Sequence, residues 1–152
     1  MSHYTKVLYY FKELLESDPL VVTVTNDEDG MSLNKMDLFM LANIEVNDSP
    51  LTNGQTVGFD CVLTVLDIVD DNKEITEDKF FRNNNEVDIY NETHAVINRF
   101  WTKLNQDFLS RGIKAPDNGT AEKGRLETKD NAIGWRLPFS IQMSNNKLHL
   151  SQ

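Results

Sequence analysis

The sequence is poor in the residues from which most chemistry is built. It has one cysteine, Cys61, in 152 residues, which excludes an internal disulfide and a CxxC metal or redox pair. It has three histidines, His3, His94 and His149, and none has another at the i±4 spacing by which two helical histidines share a metal. Lysine and arginine number 15 against 24 aspartates and glutamates, a formal charge of −9. That deficit argues against tight wrapping of nucleic acid, because neutralising phosphate needs clustered cations. No apolar run approaches the roughly 18 residues that a membrane-spanning helix requires. The opening Met1-Ser2-His3-Tyr4-Thr5-Lys6 has no basic stretch leading into an apolar block, so the expectation is a protein made without a secretory leader. Neither a GxSxG elbow nor an HExxH pair is present.

What is present fits one ordinary domain. The chain is 39% hydrophobic and 26% charged, unlike a disordered chain, and its length supports a core without disulfides or metals. Tyr4, Val7, Leu8, Phe11, Leu14 and Leu15 recur at helical spacing, which predicts an amphipathic helix over His3 to Glu16. Ser17-Asp18-Pro19 ends it, since proline disfavours helical geometry in the preceding residue. Leu20 to Thr25 is short and β-branched, a strand. Asp37 to Val46 reads as a second strand, with Leu38, Met40, Ala42, Ile44 and Val46 on one face. A loop through Asn53-Gly54 returns the chain into a third strand from Thr56 to about Asp70. That strand places Val57, Phe59, Cys61, Leu63, Val65 and Val69 on one face.

A polar, acidic insert follows from Asp71 to Glu86. Helical spacing then returns between Val87 and Leu109 through Thr93, Ile97, Phe100, Trp101, Leu104 and Phe108, with Gly112 placed to cap the end. Arg111 to Asn131 reads as a long polar arm, and loops beyond about 12–15 residues are commonly functional or disordered. Trp135, Leu137, Phe139, Ile141 and Met143 alternate strictly, a half-buried strand whose Pro138 favours an edge. Strands joined by short turns favour antiparallel pairing. The expected fold is therefore α+β: a mainly antiparallel sheet of about four strands, with two helices packed on one face.

Three chemical motifs fail on inspection. Asp27-Glu28-Asp29-Gly30 resembles a calcium loop, but aligning Gly30 with the invariant glycine puts Thr25 first and Met36 at the bidentate glutamate position. Gly119 to Leu126 has P-loop glycine spacing without the lysine and hydroxyl that hold phosphate and Mg²⁺. The carboxylates Asp67, Asp70, Asp71, Glu74, Glu77, Asp78, Glu86 and Asp88 are a set a two-metal nuclease could use. They fall on a polar segment without accompanying histidines, which reads as a solvated acidic face. Cys61 alternates with apolar residues, as a small core hydrophobe does.

Contact features remain. Phe80 and Phe81 sit side by side amid Asn, Asp, Glu and Lys, so at least one is a candidate interface anchor, with Arg82 beside them. Arg111, Lys114, Lys123 and Arg125 make the arm mixed in charge, unlike the acidic insert, and mark it as a candidate reach-over element.

The layout resembles a known family. Asp18-Pro19-Leu20-Val21-Val22-Thr23-Val24 follows the first helix, and Leu33 to Asn47 precedes a long strand ending Leu66-Asp67-Ile68-Val69-Asp70. After the acidic insert come the long helix and Gly134-Trp135-Arg136-Leu137-Pro138-Phe139-Ser140-Ile141. This order is similar to the tail-completion, tail-terminator or neck proteins of tailed bacteriophages, particularly the head-tail connector ring proteins of crAss-like and related Bacteroidetes phages. The resemblance implies a non-enzymatic subunit without cofactor or metal, forming a twelvefold or sixfold ring between portal and tail. Its implied partners are copies of itself, the portal and neighbouring rings. Its implied place is the virion, at the head-tail junction or in the tail, and the host cytoplasm before assembly, with no membrane. Asp71, Glu74, Glu77 and Asp78 would then be candidates to face a lumen through which DNA passes without specific binding. The alternative is a non-catalytic adaptor that binds a single partner.

Overall fold

A computed structural model describes residues 2–26, 39–51, 54, 56–69, 80, 84–111, 113–114, 119–126 and 132–144. Its elements run α1 (His3–Glu16), β1 (Thr23–Thr25), β2 (Leu41–Asp48), β3 (Thr56–Ile68), α2 (Asn84–Arg111), β4 (Ile113–Lys114), β5 (Glu122–Leu126) and β6 (Ala132–Ser144). The fold is α+β, with both helices on one face of a mixed, largely antiparallel sheet. Helix α1 starts where Ser2 accepts a hydrogen bond from the Thr5 amide at 3.4 Å, satisfying one orphan donor of the first turn. It stops at Ser17, whose amide reaches the Glu13 carbonyl.

The sheet order is β1-β2-β3-β6-β4, with β5 also on β6. Two 13-residue strands form its centre: β3 and β6 pair along their whole length, from Thr56↔Ser144 to Ile68↔Ala132. This accounts for strands more than twice the common length, since each supplies the other's hydrogen bonds. β1 and β2 pair in parallel, Thr23 with Leu41. The antiparallel expectation fails there because no tight turn joins them: residues 26–40 separate the two strands, and a parallel pair needs such a crossover. β1 is also shorter than Leu20 to Thr25, and β2 begins at Leu41 and runs on to Asp48. Between β2 and β3, Gly54 takes φ 86°, the left-handed region open to glycine.

The polar stretch after α2 carries strands β4 and β5, both bonded to β6, so its described parts belong to the sheet. Its sequence shows no alternation because Glu122, Lys123 and Arg125 are all exposed on an outer strand. Among the described residues, the outer side of β6 is paired at 132–136 and 142–143 only. Pro138 thus falls on a locally open edge, where a missing amide costs no ladder bond.

The core lies between the helices and the sheet. Val7, Tyr10, Phe11 and Leu15 of α1 and Val96, Ile97, Phe100 and Leu104 of α2 meet Ala42, Ile44, Phe59, Cys61, Leu63, Val65, Leu137, Phe139, Ile141 and Met143. Phe11, Phe100 and Phe139 form a triangle of rings with centroids 5.6–5.9 Å apart, one ring from each element. Burying a side chain of this kind stabilises by roughly 1.5–3 kcal/mol, so the triangle is a main fastening of both helices. At the far end of the sheet Val69, Ile89 and Ile133 form a second cluster. Leu41, Asn43, Leu66 and Ala132 are buried on the opposite sheet face at that end.

Candidate subunit interface

The reactive groups are built into structure. Cys61 is buried, and burial first, with the charge of Asp60 second, pushes its thiol up to about 12. A thiol held protonated is no nucleophile. The imidazole of His94 packs edge-on against Trp135 at 5.3 Å, and the Trp135 indole donates to the Tyr90 carbonyl at 2.9 Å. Asn43 accepts from Thr25 at 2.6 Å and donates to Glu45 at 3.1 Å, which satisfies a fully buried amide. Burial raises the Asp67 carboxyl, partly opposed by the hydrogen bond from the Ile68 amide. Among the described residues no group of three or more His, Cys, Asp or Glu is placed to hold a metal ion. No helix there is long and apolar enough to cross a membrane.

The surface carries more information. Tyr4, Tyr9, Leu20, Val22, Leu51 and Phe80 are large apolar side chains left exposed, Val22 at 61%, Leu51 at 81% and Phe80 at 85%. Four of the six belong to α1 and the approach to β1. There Thr5, Leu8, Tyr9 and Lys12, one helical stripe, face Val24, Thr25 and Ile44 across an apolar groove of about 430 Å³. Beside the groove β1 ends the sheet, and its outer side has no strand partner among the described residues. A helix groove along an open strand edge offers both apolar area and backbone hydrogen bonds to an incoming chain.

Of the residues marked by the sequence, Phe80 is described and exposed. Phe81, Arg82, Asp71, Glu74, Glu77 and Asp78 lie outside the described residues, as does Gly112. Arg111 closes α2 and Lys114 lies in β4, with their side chains outside the description. Lys123 and Arg125 are brought together on β5, both exposed, and the Lys123 ammonium sits 4.4 Å from the Tyr90 ring centroid. Sequence reasoning missed the α1–β1 groove: Leu8 and Ile44 fall on the apolar stripes of their elements, while the pattern assigns Tyr9 and Val24 no face at all. Only the fold sets the outer flank of the α1 stripe beside an edge strand.

No protein-family model matches the chain, and no curated protein is detectably similar to it.

Proposed function

We propose that this chain is a non-enzymatic structural subunit that assembles with copies of itself into a ring, and that the ring belongs to the head-to-tail connector of a tailed bacteriophage. The observation that carries the reading is the concentration of exposed apolar side chains along α1 and the approach to β1, a strand whose outer side has no partner among the described residues. Monomeric proteins rarely leave such patches beside an unpaired strand, because both promote association. The step from an assembling subunit to the phage connector rests on the resemblance in layout, in which a first helix, a long central strand, a long second helix and a closing strand follow in order.

The reading also gives the charge a role. A DNA conduit must not hold phosphate, so carboxylates at the lumen would repel the duplex and let it slide. The acidic insert with Asp71, Glu74, Glu77 and Asp78 is the candidate lining. A ring closes when a heterologous contact repeats by rotation, and exposed anchors such as Phe80 suit that contact. Electron microscopy of the parent particle tests the proposal. A ring of this chain between portal and tail is expected. A stable one-to-one complex with a single partner, and no ring, would instead mark an adaptor.

A further inference from the structure

We draw no further inference here: the strongest candidate, the apolar groove of about 430 Å³ between α1 and β1, belongs to the surface already described, and nothing in the structure shows what covers it.

Discussion

Arg99 donates through Nε and Nη2 to both carboxylate oxygens of Asp18, at 2.7 and 2.9 Å, and so ties the end of α1 to the middle of α2. The Asp18 side chain is 8% exposed and that of Arg99 44%. Asp18 also accepts from the Leu20 amide at 3.0 Å, which turns the chain toward β1. A second tie links the same helices, where the Tyr10 hydroxyl donates to Asp107 at 2.7 Å.

Removing Arg99 leaves a shielded carboxylate without its cation. Arg99→Ala is expected to cost about 1–2 kcal/mol, above an ordinary surface pair because the geometry is bidentate and one partner is covered. Lys12→Ala, which removes a 3.9 Å pair with both side chains more than half exposed, should change stability by less than about 0.5 kcal/mol. Urea denaturation of both variants at neutral pH gives the comparison.

Gly134 is required by close approach rather than by dihedral freedom. A Cβ built there would collide with the Val65 carbonyl of the neighbouring central strand, and backbone cannot yield as a side chain can. Gly134→Ala is expected to abolish soluble folded protein or to cost more than about 3 kcal/mol. Gly124→Ala, on β5, meets nothing nearer than 3.8 Å and should be tolerated. Soluble yield and thermal melting of the pair decide it.

The thiol of Cys61 should be inert while the protein is folded. At pH 8 a disulfide reagent is expected to label it only at the rate of unfolding, and immediately in denaturant. The raised value also fixes a pH dependence. Between the ordinary 9.0 and about 12 the unfolded thiol ionises and the folded one does not. This contribution to stability is therefore complete below about pH 9 and is lost as pH climbs toward 12. Cys61→Ala should remove that part of the alkaline loss.

Asp67 gives the same sign at lower pH. Its carboxyl is raised mainly by burial, so the unfolded state ionises first and stability falls as pH rises through the folded value. Asp67→Asn should raise the urea midpoint at pH 7 relative to its effect at pH 3. An equal shift at both would assign the effect to lost hydrogen bonding instead.

The elements with a repeating pattern were legible in the sequence. Helix α1 was bounded by its apolar stripe and by Pro19, and β3 and β6 by strict alternation, because one face of each meets the core and the other does not. β1 was harder. Its parallel pairing is decided by where the following residues take the chain, and three residues of sequence carry no information on that. β5 was hidden because an outer strand with Glu122, Lys123 and Arg125 exposed needs no apolar face. The tie between Asp18 and Arg99 spans 81 residues and leaves no local trace. At the surface, Phe80 could be marked as an apolar residue in polar surroundings. The α1–β1 groove could not, since it arises only when two core-like stripes are placed side by side.

The candidate aromatic anchors should matter for assembly and little for folding. Replacing Phe80 and Phe81 with Ser is expected to leave a folded chain that assembles poorly, because truncating a central aromatic anchor typically costs more than about 1 kcal/mol of binding. Light scattering alongside circular dichroism separates the two effects, and unchanged assembly would count against that segment.

Native mass spectrometry of the purified chain, alone and with the portal protein that the proposed connector role implies, is the decisive measurement. A closed homo-oligomer is expected, formed by the chain itself or templated on the portal. A chain that stays solitary under both conditions, or that turns over a substrate, would contradict it.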